Sequence, residues 1–223
     1  MKIQGWDLAL NHSACIELTD GELTGWWYVT DKKADAKKGK ERAVYYKTPE
    51  RKKQPDRQCA QMERLAFMEG VFASWLARRP DFVGIENYAM GQSTNAYHIG
   101  ELGGAARLLC WNAGIPFRLH GPGVLKMFVA HDGTCQKDEI ERCVEERWGY
   151  SFGEYNSNPD KRQTSEDLAD AFGIAQMVWT ECQFRRGEIQ MAELHAKEVQ
   201  VFNRITKAMP LCLIDREWLS ENA

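Results

Sequence analysis

Phe82-Val83-Gly84-Ile85-Glu86 is a short apolar run closed by an ionisable group, and its surroundings decide the fold. Upstream, over 58–79, Met62, Leu65, Ala66, Phe72, Trp75 and Leu76 recur at helical spacing until Pro80 stops them. Downstream, a helix is expected over 95–112, ended by Gly114, and then a strand over 115–119. Helix and strand in alternation imply parallel strands joined by crossover helices. Further helices are expected over 122–130 and 137–148. A polar, turn-rich connection over 149–163 leads to a helix that carries Asp167 and Asp170 and runs to about 182.

The start of the chain reads differently. Strands over 2–10, 13–18 and 25–30 are separated by Asn11-His12 and by Thr19-Asp20-Gly21-Glu22, where Asp-Gly signals a turn. Three short strands with tight turns make an antiparallel meander. The expected fold class is therefore α/β: a mixed five-stranded sheet, meander first and parallel strands after it, flanked by helices. Residues 1–183 are expected to form this domain, with a basic insertion at about 30–57. Residues 184–223 form a helical extension whose main helix spans 188–208, with Met191, Leu194, Val201 and Ile205 along roughly one stripe. Packing on its own domain and contact with a partner are both open to that stripe.

The composition, 43% hydrophobic and 11% aromatic, excludes a disordered chain, and no apolar run has the length of a membrane span. Seven scattered cysteines without a Cys-x-x-Cys pair predict reduced thiols in the cytoplasm, neither a zinc site nor a disulfide framework. The five histidines show no i, i+4 pairing, and none is assigned a metal. The net charge of −3 conceals an island: between Thr30 and Arg57 eleven Lys and Arg face five Asp and Glu, a surplus of +6. Such an island is either a solvated loop or a surface for phosphates.

Four acids stand out. Asp7 closes the run Lys2-Ile3-Gln4-Gly5-Trp6, Glu86 closes the run quoted above, and Asp167 and Asp170 lie one helical turn apart. Singly, Asp7 suits a turn, and Asp167 and Asp170 suit a helix N-terminus. Together they would concentrate negative charge at one end of a sheet, a costly arrangement unless a cation meets it. Hard oxygen ligands suit Mg²⁺ or Mn²⁺, and two such ions about 3.5–4 Å apart can clamp a phosphodiester from both sides.

This order of elements and acids resembles the ribonuclease H-like nucleases, and more closely the RuvC-type Holliday-junction resolvases. The resemblance runs from about residue 2 to 182. It is carried by Phe82-Val-Gly-Ile-Glu-Asn-Tyr-Ala-Met-Gly, His98-Ile-Gly-Glu-Leu-Gly-Gly-Ala-Ala-Arg, Val124-Leu-Lys-Met-Phe-Val-Ala-His-Asp-Gly-Thr-Cys-Gln-Lys and Asp167-Leu-Ala-Asp-Ala-Phe-Gly-Ile-Ala. It implies a ribonuclease H-like sheet, with Asp7, Glu86, Asp167 and Asp170 as metal-binding catalytic acids and Lys126 and Lys137 as lysines near the scissile phosphate. Asp7-Leu8-Ala9-Leu10-Asn11 replaces the family's usual Asp-Pro-Gly, a variant associated with phage-borne members, whose location would be the bacterial host cytoplasm. Ala89 takes the place of the family's junction-opening aromatic, so Tyr88 or Met90 would wedge the junction or simply pack.

What the resemblance implies is a Mg²⁺-dependent endodeoxyribonuclease, Mn²⁺ substituting and two ions per site, that resolves four-way junctions by paired symmetric nicks. A less selective branched-DNA, flap or RNA-containing-duplex nuclease is the alternative, and a catalytically silent DNA-binding module is the reading from another class. Two nicks imply a homodimer, for which the small-residue helix around 99–109 is one candidate surface, core packing being its other use. DNA contacts are expected from Lys37, Lys38, Lys40, Arg42, Lys47, Arg51, Lys52 and Lys53.

Overall fold

The computed structural model describes residues 1–47, 56–87, 96–158, 160 and 162–208. In chain order its elements are β1 (Lys2–Leu8), β2 (Ser13–Thr19), β3 (Glu22–Thr30), α1 (Lys33–Gly39), β4 (Ala43–Tyr45), α2 (Asp56–Leu76), β5 (Phe82–Glu86), α3 (Ala96–Asn112), β6 (Phe117–His120), α4 (Pro122–Val129), α5 (Lys137–Trp148), α6 (Gln163–Arg185) and α7 (Ala196–Ala208). β1, β2 and β3 form the antiparallel meander, while β5 joins β1, and β6 joins β5, in parallel. The β2–β3 turn places both Asp20 and Gly21 at positive φ, 50° and 87°, as a tight hairpin requires.

The sheet order is β4-β3-β2-β1-β5-β6. The sixth strand, beyond the expected five, is β4: the centre of the basic stretch, 42–47, is open to a further strand or hairpin arm, and three of its residues pair in parallel with the edge of β3. The segment before it, the first part of the expected basic insertion, contains the helix α1. Asp35 explains this: its carboxylate is buried, accepting from Ser157 N at 2.8 Å and Thr164 Oγ1 at 2.9 Å, while the Tyr28 hydroxyl donates to its backbone carbonyl at 2.7 Å. Burial alone would raise its pKa, and the hydrogen bonds from Ser157 and Thr164 outweigh that and lower it. A basic segment is thus tied to the start of α6 by one acid.

Strand alternation sorts side chains into two cores. Trp6 points to one face, stacked on Phe72 with ring centroids 5.4 Å apart and edge-on to Trp75 at 5.3 Å; Val83, Ile85 and Leu102 complete that layer. Ile3, Ile16 and Leu18 point to the other face, where α6 contributes Phe172, Ile174 and Val178. Gly5 and Gly84 let α6 lie against the sheet. A methyl group on Gly5 would collide with the Ala171 carbonyl and stand 2.5 Å from Ala175 N; one on Gly84 would stand 2.6 Å from Ile174 Cγ2. Farther along the same face Arg118 of β6 and Glu181 of α6 form a buried ion pair, joined by Arg185 Nε at 2.8 Å.

Beyond α6 the chain departs from the expected continuous helix. Met191–Glu193 is a single 3-10 turn capped reciprocally by Gln190 and Glu193, and α7 begins only at Ala196. Val201 and Phe202 are buried, Phe202 edge-on to Phe128 at 6.1 Å. Glu198 meets Arg147, His131 at 3.2 Å and the His195 backbone N–H at 3.0 Å. Of the expected stripe, Met191 and Leu194 pack on the same core; the Ile205 side chain lies outside the described set. Among the described residues the cysteines are free thiols, and no helix is long and apolar enough to cross a membrane.

Replacing Gly5 by alanine is expected to force α6 off β1 and to cost about 1–3 kcal/mol, the usual penalty for overpacking. Urea unfolding of the variant should show a lowered midpoint with an unchanged slope.

Candidate active site

β1 and β5 run in the same direction, and the register Trp6↔Ile85 sets Asp7 beside Glu86 at their C-terminal ends. Gly5 and Gly84, two residues earlier in each strand, face α6, so the period-two alternation turns Asp7 and Glu86 to α6 as well. There the first turns of α6 present Asp167 and Asp170, spaced to share one helical face. The four acids of the sequence reading therefore converge at one end of the sheet. Asp7, Asp167 and Asp170 are buried; Glu86 sits at the rim, partly exposed.

Their electrostatics are those of a crowded anionic site. Burial first, then the neighbouring Asp7 charge, hold the Glu86 and Asp167 carboxyls well above their ordinary range. The same two causes push Asp170 up to about 7, with Lys137 opposing them. Lys137, at the start of α5, places Nζ 3.6 Å from Asp170 Oδ2 and 3.8 Å from Asp167 Oδ1. Burial works against its charge, yet the four acids outweigh burial and raise its pKa. Gln163 Nε2 also reaches Asp167 Oδ1, at 3.5 Å.

One ammonium does not neutralise four carboxyls, so protons fill the deficit. Among the described residues no group of three or more His, Cys, Asp or Glu side chains is placed so that it could hold a metal ion as it stands. The donor chemistry nonetheless fits a hard divalent cation: oxygen atoms on two strand ends and one helix, holding protons because burial and then one another's charge disfavour the ionised form. Releasing those protons is the step that would couple a cation to this site.

The two lysines separate. Lys137 belongs to the acid cluster, whereas Lys126 on α4 donates to the Cys135 carbonyl at 2.5 Å. That contact ties down the turn leading into α5, two residues before Lys137.

The basic stretch divides as well. β3 runs parallel to β1, so α1 leaves the sheet at the same end as Asp7, and Asp35 anchors it to the start of α6. Lys37, Lys40 and Lys47 are exposed there or just beyond. Lys38 instead donates to the carbonyls of Glu154 and Asn156, at 3.1 and 2.5 Å, and Arg42 lies 3.6 Å over the Trp26 ring. Arg51, Lys52, Lys53, Tyr88 and Met90 lie outside the described residues.

Two histidines near the acids went unassigned in the sequence. His12, in the β1–β2 turn, has Nε2 3.2 Å from Asp31 Oδ1; burial lowers its pKa, and the charges of Asp31 and Asp7 oppose that. His120 ends β6 in register with Glu86. The available signal was positional: β6, like β1 and β5, finishes on or next to an ionisable residue.

No protein-family model matches the chain. Among solved structures it is similar to RuvC of Thermus thermophilus, with a TM-score of 0.56 and 21% identity over 84% of this chain and 97% of that one. A T. thermophilus RuvC in complex with Holliday junction substrate matches with a TM-score of 0.56 and 20% identity, over 82% of this chain and 96% of that one. A fowlpox virus resolvase in complex with Holliday junction DNA is more distant, with a TM-score of 0.45 and 12% identity over 82% of this chain and 99% of that one. At these identities the likeness is one of fold: the chain has the ribonuclease H-like, RuvC-type architecture.

Proposed function

We propose that this protein is a divalent-metal-dependent endodeoxyribonuclease that resolves four-way DNA junctions by paired nicks. The observation that carries the reading is the convergence of Asp7, Glu86, Asp167 and Asp170 on the α6 face of a RuvC-like sheet. Seen with Holliday junction substrate, T. thermophilus RuvC supplies the substrate class.

In this reading Asp7, Glu86, Asp167 and Asp170 hold the ions, Mg²⁺ or in its place Mn²⁺, two per site. When bound, such ions supply Lewis-acid polarisation of the phosphodiester, a water activated near neutral pH and support for the leaving oxygen. Lys137 stays charged throughout and offers its ammonium to a non-bridging phosphate oxygen. Lys126 acts through the Cys135 carbonyl, as a positioning residue for Lys137. Lys37, Lys40 and Lys47 make sequence-independent contacts with junction arms, joined by the basic residues at 51–53. Tyr88 or Met90, just past Glu86 in the chain, opens the junction.

Two nicks related by symmetry require two sites, hence a C2 homodimer. α3 offers a surface: Tyr97, Leu108 and Trp111 are exposed on one stripe with Gly104, where an added methyl would meet only Arg107 Nη2, at 4.0 Å. The nuclease unit then spans 1–183, with 184–223 as its extension.

Asp7→Asn should lower cleavage by more than the roughly 100-fold typical of losing an outer-shell partner, with junction affinity nearly unchanged in a gel-shift assay. Undiminished cleavage by the variant rejects the site. A panel of four-way junctions, forks, flaps and hybrids at matched salt tests selectivity: paired symmetric incisions in the junction are expected, and equal single nicks across the panel would indicate the broader nuclease.

The raised carboxyls also set a pH dependence. Asp170 ionises near 3.8 when unfolded and about 7 when folded, so the native state holds more protons between those values. This carboxyl's contribution to the stability of the metal-free protein should therefore be fully present below about 4 and be lost as pH rises through about 7. Thermal melts in chelator should show the fall, and Asp170→Asn should flatten it. Added Mg²⁺ should restore stability at the high-pH end.

A further inference from the structure

His120 is almost fully buried, at 1% exposure, yet among the described residues neither ring nitrogen has a hydrogen-bond partner. Leaving such a group unpaired costs free energy unless something outside the chain meets it. Its place in the fold says where that something lies. β6 pairs in parallel with β5, Glu86 opposite His120 and Gly84 opposite Arg118. Residues opposite each other in a parallel pair share a face, with strands roughly 4.8 Å apart. Gly84 and Arg118 both meet α6, through Ile174 and Glu181, so Glu86 and His120 face α6 too. Asp7, Glu86 and His120 thus form one row across three strand ends, under the helix that carries Asp167 and Asp170.

We infer that His120 is a further ligand of the proposed divalent-cation site, giving an imidazole nitrogen on its Glu86 side and biasing the site towards Mn²⁺ over Mg²⁺. The inference rests on the nuclease reading for the existence of that site. Neutral imidazole suits transition metals, while Mg²⁺ strongly prefers oxygen, so one nitrogen among carboxylates shifts preference to the softer ion. Burial, together with the Arg118 charge, holds the His120 ring neutral down to about pH 3, leaving a lone pair free for coordination.

Pulsed EPR of the Mn²⁺-loaded protein reads the assignment directly. Hyperfine coupling to a histidine nitrogen is expected in the wild type and should change pattern when histidine rings are labelled with nitrogen-15. It should disappear in His120→Ala and in His120→Asn, and persist in His131→Ala. By calorimetry, Mn²⁺ binding to His120→Ala should weaken by about 10- to 100-fold, and Mg²⁺ binding far less. Asp7-dependent Mn²⁺ binding without nitrogen coupling in the wild type overturns the His120 assignment and leaves the nuclease reading standing. Coupling that survives in His120→Ala also overturns it. Absence of any Asp7-dependent Mn²⁺ binding overturns both.

Discussion

Mutual repulsion among buried carboxyls is the constraint around which this structure is organised. Asp7, Asp167 and Asp170 are buried within reach of one another's charge, with Glu86 at the rim and one lysine for company. Nothing local to these residues favours their assembly. The rest of the fold imposes it: bare glycines at Gly5 and Gly84 let α6 settle onto β1 and β5, and the apolar faces of Ile3, Phe172 and Ile174 hold it there. The free energy comes from burying that apolar layer, and part of it is spent on keeping anions together. Titratable groups perturbed in this way cluster at functional sites.

Much of the architecture was legible because the relevant signals are periodic and local. β5 and α5 match their expected spans, since an apolar run of strand length and an amphipathic helix after a loop carry their own boundaries. The four acids were legible for a related reason: a carboxylate at the end of an apolar run has no cheap explanation. What escaped the sequence depends on partners distant in the chain. α1 looked like a charged loop because the side chain that pins it, Asp35, finds Ser157 and Thr164 more than a hundred residues away. α7 starts late because a reciprocal cap between Gln190 and Glu193 closes a separate turn first.

The lysines show the same limit within the site. Lys126 and Lys137 are equivalent as sequence features, both cations flanking a loop. Tertiary geometry gives them different work, one bound to a carbonyl and the other set against two aspartates. Nor could His120 be recognised from its neighbours, since a buried imidazole is unremarkable until its missing partners are seen.

α6 is one uninterrupted rod of 23 residues, about 35 Å long at the usual rise, and it is pinned near both tips. At one, Thr164 meets Asp35; at the other, Glu181 meets Arg118 and Arg185. A rod clamped twice cannot glide lengthwise without tearing a buried polar contact at either clamp. The vertical setting of its two aspartates over the strand tips is therefore governed from some twenty ångströms away, and drift at the distant clamp would detune the acids without touching them.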